Sequence, residues 1–358
     1  MAVYVIGGSN SLKSDGWTSR FRAVEPDFVN LSVGATTSIT GLYRILTHPG
    51  ITRGDVLIWE YALNEANRVS NGQSMRTYLA HLEHLLRLAR DRGLLVAPLI
   101  FTPRHLEKRA QRSRYYDRLF ALLAHYALVP FDVSAELRRS LGVPRLPESS
   151  FRDKLHYAHD DEMLDFICQG AQRAVRQASV PAPAKPRYVR GERLRLITDF
   201  ANDSFANSIM QLPVARPPFT FTYPARGEIT AITYVSETRP MTFQVGIHGR
   251  RERSPISVAA SHKSKKNKKP LLRTAVLPLG AARRLSGETG TVGSVRMRLR
   301  KGRSHQAAPL HDADAATQIA GIFVTSRAWW HLAGLRNLAA RARRRISTRK
   351  WTNPARQK

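Results

Sequence analysis

The sequence predicts an α/β domain built on a parallel sheet, then an all-β domain of sandwich type, jelly-roll-like in its strand pattern, and a basic terminal helix. Three observations predict it. From residue 1 to about 180, short apolar β-branched runs alternate with longer stretches of helical periodicity, as in parallel strands joined by crossover helices. The proline-rich stretch SVPAPAKPRYVRG, residues 179–191, has no periodicity and reads as an interdomain linker. Beyond it, eight strand-like runs follow one another without intervening long helices, the pattern of a β-sandwich.

In chain order, the strands predicted for residues 1–178 are VYVIG (3–7), FVNLSV (28–33), DVLIWEYA (55–62), LLVAPLIF (94–101) and VPFDVS (129–134). Helices are predicted near 15–24, 37–48, 75–92, 115–127 and 160–178. The third is the plainest, because MRTYLAHLEHLLRLARDRG carries a regular apolar stripe and ends in glycine. Residues 192–326 hold the runs RLRLITDF, SIMQLPV, FTFTY, EITAITYVS, MTFQVGIHG, RTAVLPL, SVRMRLR and QIAGIFVTS, with SHKSKKNKKP (261–270) as a solvated lysine loop. In residues 327–358, Leu332, Leu335, Leu338 or Ala339, Ala342 and Ile346 follow helical spacing beneath a coat of arginines. Two readings stay open there: a helix lying on an anionic membrane surface, or one packed on the sandwich with a basic tail.

Of 358 residues, 42% are hydrophobic, enough for two cores. The net charge of +30 is unevenly placed: residues 1–180 hold 23 basic against 18 acidic side chains, and residues 181–358 hold 34 against 9. The basic field belongs to the second half and favours anionic partners, whether acidic polysaccharide, anionic lipid or nucleic acid. The single cysteine, Cys168, lies in an apolar helical pattern, which excludes a disulfide framework or thiolate metal site and points to a core residue. The opening MAVYVIGGSN lacks a basic n-region and long apolar core, and no run reaches the length of a membrane span. The expectation is a cytoplasmic protein, peripheral at the inner membrane surface if the terminal helix docks there.

In an open parallel sheet the ligand crevice lies beyond the carboxyl ends of the strands. Five polar or small residues fall there: Ser9 after the first strand, Gly34 after the second, Asn64 after the third, and Asp153 and His156 in RDKLHYAHD after the fifth. A serine hydroxyl becomes a nucleophile when a base takes its proton, and the base works best when a third group fixes its tautomer. His156 and Asp153, spaced D-x-x-H, suit these roles from one turn. The N–H groups of Ser9 and Gly34 and the amide of Asn64 suit an oxyanion hole, and a helix starting near Ser9 would add its dipole.

This ordered set, GGSNS, NLSVG, ALNE and DKLH, resembles the SGNH, or GDSL, hydrolase family over residues 1–178. The resemblance implies a flavodoxin-like three-layer α/β/α domain, a serine esterase or O-acyltransferase activity, Ser9, His156 and Asp153 as catalytic residues, and Ser9, Gly34 and Asn64 as the oxyanion hole. The chain departs from the family's pattern at Gly8, where aspartate is usual, and at Ala62 and Glu65, where glycine and aspartate are usual. The acting groups remain, but how the nucleophile loop is held is left open. A G-x-S-x-G elbow is absent, which argues against an α/β-hydrolase.

Arg104 and His105 in TPRH follow the fourth strand and are candidates for binding an anionic or sugar group, or are plain surface residues. His156, His159, Asp160 and Asp161 are a weak metal pattern; the acids suit the start of the next helix better, and no metal is expected. His81 and His84, three apart, read as one side of a helix. No phosphate-binding glycine loop occurs. The expected function is acyl transfer through an acyl-serine on an acylated, chiefly acetylated, carbohydrate. Water as acceptor needs no cofactor, and a transferase needs acetyl-CoA or another acyl donor. The second reading is an inactive SGNH-like protein binding anionic glycan or nucleic acid; nucleic acid is disfavoured because no reader motif is present.

Overall fold

The computed structural model describes residues 1–107, 113–189, 192–207, 210–216, 219–222, 227–236, 241–248, 256–260, 271–276, 289–297, 307–309 and 318–327. The lysine loop 261–270 and nearly all of the expected terminal helix, residues 328–358, lie outside the described residues.

The first domain runs β1 (Val3–Gly7), α1 (Trp17–Val24), β2 (Phe28–Asn30), α2 (Ser38–Thr47), β3 (Val56–Glu60), α3 (Ala62–Ser70), α4 (Met75–Arg92), β4 (Leu95–Ile100), α5 (Arg104–Glu107), α6 (Arg114–His125), β5 (Phe131–Asp132), α7 (Val133–Leu141) and α8 (Asp161–Arg176). The five strands are parallel in the order β2-β1-β3-β4-β5. The order reverses at β1, so the crevice at its carboxyl end is the topological switch point, and Ser9 follows β1 directly. Alternate residues of β1 feed two cores: Val3 and Val5 pack with Trp17, Phe21 and Ile167 on one face, Tyr4 and Ile6 with Leu42, Tyr43 and Leu79 on the other. This is the expected three-layer α/β/α arrangement.

Local chemistry sets the helix ends. The Ser74 hydroxyl accepts from the Thr77 N–H at the start of α4, which stops at Gly93 with φ +68°. Asp132 and Asp160 accept from Ala135 N–H and Met163 N–H at the starts of α7 and α8. The Asp132 cap explains one difference from the sequence reading: VPFDVS was expected as a strand to 134, but its aspartate ends β5 and opens α7. Helix α3 is a second difference, since ALNEANRVS leaves the strand two residues earlier than expected. A third concerns Ser9. It lies in a turn, and α1 begins only at Trp17, so Ser9 is not at the N-terminus of α1 and gains nothing from its dipole.

The second domain comprises β6 (Glu192–Ile197), β7 (Asp203–Ala206), β8 (Gln211–Val214), β9 (Phe219–Thr222), β10 (Gly227–Ser236), β11 (Met241–His248), β12 (Ile256–Ala260), β13 (Leu271–Val276), β14 (Thr289–Met297), β15 (Ala307–Pro309) and β16 (Gln318–Arg327). One antiparallel sheet has the order β13-β10-β16-β6, a second the order β12-β11-β14-β15 with β9 also on β14, and β7 pairs with β8. The all-β expectation holds, with short strands at 203–206, 256–260 and 307–309 added to it.

The two domains share a core. Buried Leu212, Val214, Ala231, Val235, Leu272, Ala320 and Phe323 of the second domain pack in the same cluster as Ile39, Leu42 and Tyr43 of α2. Tyr43 is fully buried and its hydroxyl donates to the Ala320 carbonyl at 3.3 Å. The linker is pinned as well: Ala182 N–H donates to the Tyr126 carbonyl, and the buried Glu83 carboxylate accepts from the N–H groups of Arg187, Tyr188 and Val189 at 2.7, 2.6 and 2.8 Å. Proline content thus marks a change of domain but not a flexible tether. No helix of the described residues is long and apolar enough to cross a membrane. Truncating Tyr43 to alanine opens a cavity in this shared core, and we expect it to cost about 3–5 kcal/mol in urea unfolding, with both domains losing structure in one transition.

Candidate active site

Each catalytic candidate is delivered by a separate piece of backbone. Ser9 sits in the turn after β1. His156 and Asp153 sit in a tight loop, where Phe151 bridges to Tyr157, Arg152 N–H donates to the His156 carbonyl at 2.9 Å and Ala158 N–H to the Ser150 carbonyl at 2.9 Å. Tyr157 anchors that loop in the core. It is 4% exposed, its hydroxyl is 2.6 Å from the Ser134 hydroxyl and accepts from the Thr102 N–H at 3.2 Å, and its ring packs on Phe101 and Phe151. The sequence reading did not single out Tyr157; an aromatic directly after the histidine was the available signal.

The loop brings the three expected residues into line. Ser9 Oγ lies 2.7 Å from His156 Nε2, and His156 Nδ1 lies 2.7 Å from Asp153 Oδ2. Asp153 also accepts from the N–H groups of Leu155 and His156 at 2.8 and 2.9 Å. Partial burial alone would raise the pKa of this carboxyl, but those N–H donors and the His156 ring outweigh it and hold Asp153 below the ordinary carboxylate range. Asp153 therefore stays ionised and keeps a proton on Nδ1, which leaves Nε2 free to accept from the Ser9 hydroxyl.

The oxyanion candidates converge as well. Gly34 lies against Ser9, near enough that a Cβ on Gly34 would sit 4.0 Å from that of Ser9. Among the described residues, the N–H groups of Ser9 and Gly34 donate to no protein acceptor. Asn64, at the start of α3, spends one amide N–H on the Thr36 carbonyl at 2.8 Å and has a second to give. Ala35 beside Gly34 has φ +56°, a left-handed conformation rarely adopted by alanine. Its carbonyl accepts from Arg68 at 2.8 Å and Arg273 at 3.4 Å.

The Ser9 loop is held by a glutamate that the sequence reading did not use. The buried Glu60 carboxylate, at the end of β3, accepts from the Gly8 N–H at 2.9 Å and the Ser11 hydroxyl at 2.8 Å, one on either side of Ser9. This close approach requires glycines. A Cβ on Gly7 would lie 2.7 Å from Glu60 Oε2, and one on Gly8 would collide with the Asn64 amide. Burial pushes Glu60 up to about 7 against the pull of both hydrogen bonds. Glu65 resembles it: its carboxylate accepts from the Ser38 N–H and Tyr115 hydroxyl at 2.8 and 2.7 Å, and burial raises it to about 7. Neither carboxylate was identified from the sequence as a positioning group.

The other candidates are spread out. Arg104 faces Glu148 at 3.5 Å, and neither Arg104 nor His105 lines the cavity beside Ser9. His159 pairs with Asp15 at 3.1 Å, Asp160 caps α8, and Asp161 pairs with Arg20; among the described residues no group of three or more His, Cys, Asp and Glu side chains is placed to hold a metal. His81 and His84 are buried, and desolvation lowers them to about 4 and about 3, so both are neutral core residues instead of members of a partly exposed face. Cys168 is buried and free.

The cavity beside Ser9 is small, about 20 Å³, and lined by Trp17, Tyr157, Ile167, Lys13 and His156 among others. A second cavity, about 280 Å³, is lined by Ala35, Thr36, Thr37, Thr40 and Arg68 of the first domain and Arg273 and Thr274 of the second.

No protein-family model matches the sequence, and no curated protein matches it. Among solved structures, the chain is similar to a two-domain esterase active on acetylated mannans, with a TM-score of 0.53 and 14% identity over 91% of each chain. An acetyl xylan esterase aligns with 49% of this chain and 100% of its own, at a TM-score of 0.40 and 13% identity. An acetylxylan esterase from Geobacillus stearothermophilus aligns with 53% of this chain and 96% of its own, at a TM-score of 0.39 and 14% identity. The first likeness spans both domains and shows the fold, a three-layer α/β/α domain joined to a β-rich one.

The raised Glu60 gives a signed expectation. Its folded-state pKa of about 7 exceeds its ordinary value of 4.5, so folding favours the protonated form. Its contribution to stability is complete below about pH 4.5 and is lost as pH rises to about 7. Glu60→Gln, which cannot ionise, should therefore flatten the fall in unfolding free energy between pH 4.5 and 7 in urea titrations, Glu65 leaving the remainder.

Proposed function

We propose that the protein is an SGNH-type serine ester hydrolase that removes short acyl groups, chiefly acetyl, from an acylated polysaccharide. The observation that carries the reading is the unbroken line from Ser9 Oγ through the His156 ring to Asp153, with 2.7 Å at each junction. The structural likeness to an esterase active on acetylated mannans supports the substrate class. The cavity of about 20 Å³ beside Ser9, little more than one water molecule's worth of room, supports a short acyl group.

The reaction follows from the geometry. As Ser9 Oγ attacks the ester carbonyl carbon, its proton passes to His156 Nε2, and the imidazolium is stabilised by Asp153. The carbonyl oxygen takes up the negative charge and is met by the N–H groups of Ser9 and Gly34 and the second amide N–H of Asn64. On collapse, the carbon–oxygen bond to the sugar breaks and His156 returns the proton to the departing sugar oxygen, leaving an acyl-serine. Water, deprotonated by His156, then attacks the acyl carbon; the acid is released and Ser9 regains its proton. A sugar hydroxyl in place of that water gives an O-acyltransferase by the same steps.

Purified protein should hydrolyse p-nitrophenyl acetate, and Ser9→Ala should lower kcat by at least about 10³-fold. Asp153→Asn should lower kcat by about 10²- to 10⁴-fold, because the amide no longer fixes the Nδ1–H tautomer. Faster nitrophenol release on adding a de-acetylated glycan, with the acetyl group recovered on the glycan, would mark a transferase. Turnover equal to Ser9→Ala across acetyl, propionyl and butyryl esters would move the reading to a binding protein.

A further inference from the structure

We infer that the cavity at the domain seam is a binding site for an anionic sugar residue of the substrate, with Arg68 and Arg273 as its charged anchors. The inference rests on the ester-hydrolase reading for the word substrate; the site itself rests on its own geometry. The cavity is about 280 Å³, room for a sugar ring with a charged substituent, and its walls carry the side chains of Thr36, Thr37, Thr40 and Thr274 beside the two arginines. It lacks an acid. Among the described residues no carboxylate lies within ion-pair distance of Arg68 or Arg273.

Each of the two arginines instead donates to backbone carbonyls of the Gly34–Ala35 turn, Arg68 at 2.8 Å and Arg273 at 3.3 and 3.4 Å. Those bonds fix the guanidinium groups and leave further N–H donors on each, the arrangement that grips a carboxylate or phosphate by two parallel hydrogen bonds. Burial disfavours the charged form of Arg273, a cost that an anion in the cavity offsets. The placement suits a polymer. The cavity wall begins at Ala35, next to Gly34, and two chain steps, at most roughly 8 Å, separate Gly34 from Thr36. A sugar held there lies next to the one whose ester reaches Ser9. Because Arg68 comes from α3 and Arg273 from β13, neither domain makes the site alone.

The test uses full-length protein carrying Ser9→Ala, so that binding is read without turnover. Isothermal titration with hexagalacturonate, glucose 1-phosphate and neutral mannohexaose separates carboxylate, phosphate and uncharged sugar. We expect at least one of the two anionic probes to bind more tightly than mannohexaose. Its affinity should fall at least tenfold with Arg273→Gln and with Arg68→Gln, while Arg273→Lys, which keeps a charge at the seam, recovers part of the loss. Hexagalacturonate as the tighter probe assigns a uronate, glucose 1-phosphate a sugar phosphate. Affinity within twofold of the parent in folded Arg273→Gln, equal binding of mannohexaose, or tighter Arg273-dependent binding of a single-stranded DNA oligomer overturns the inference. Failure here leaves p-nitrophenyl acetate turnover by the Ser9 protein untouched, so the two readings fail separately.

Discussion

The site depends on one buried carboxylate. Glu60 ends the central strand β3 with no exposed surface to speak of, and its Oε2 draws in the Gly8 N–H and the Ser11 hydroxyl. A buried carboxyl group is costly unless hydrogen-bonded, and Glu60 meets that need with donors on either side of Ser9, which holds the turn against it. Glycines at 7 and 8 are what let the backbone come so close. The position of Ser9 is thereby set from inside the sheet instead of by a helix terminus, and its hydroxyl meets the His156 imidazole, which a separate loop holds. Asp153, with three N–H donors including the His156 ring, performs the matching task for the base.

The second constraint is the seam. Helix α2 packs on the parallel sheet with one face and on the β-rich domain with another, so Tyr43, Leu42 and Ile39 belong to both cores. A linker bound to Glu83 and Tyr126 completes the attachment. The active-site turn lies on this seam: Thr36, Thr37 and Thr40 lead into and along α2, Thr40 meets Thr274 at 2.9 Å, and Arg273 reaches the carbonyls of Gly34 and Ala35. A second domain joined through a shared core is a fixed wall of the site, not a module on a tether.

Much of this was legible from the sequence because it is local or periodic. The five parallel strands, the long α4 with its glycine stop and the D-x-x-H pair each announce themselves within a few residues. What was missed depends on contacts distant in sequence. Glu60 and Glu65 look like ordinary charges on the edge of an apolar run, and only the packing of β3 and α3 buries them. Tyr157 reads as a loop aromatic until Ser134 and Thr102 appear beside it. Arg273 is one of 57 basic residues, and nothing near it in the chain indicates that it reaches a turn at Gly34. The end of β5 was misplaced for a different reason: propensity marks an apolar run, whereas the capping Asp132 decides where that strand gives way to α7.

On the proposed esterase reading, the cavity at Ser9 and the cavity at the seam divide specificity between the domains. On one side of Ser9 the space is about 20 Å³ and is walled by Trp17, Tyr157, Leu164 and Ile167, all from the first domain; it limits what an acyl group there can be. At the seam, beginning at Ala35, the space is an order of magnitude larger, polar and shared with the second domain; it has room for the alcohol half of an ester. Discrimination of acyl groups by size is worth only about 1–3 kcal/mol per methylene, so a short acyl group carries little identity of its own. Recognition of which polymer bears it then has to come from the larger, polar side. That is where the β-rich domain contributes Arg273 and Thr274, and on that reading the domain shares in choosing the substrate.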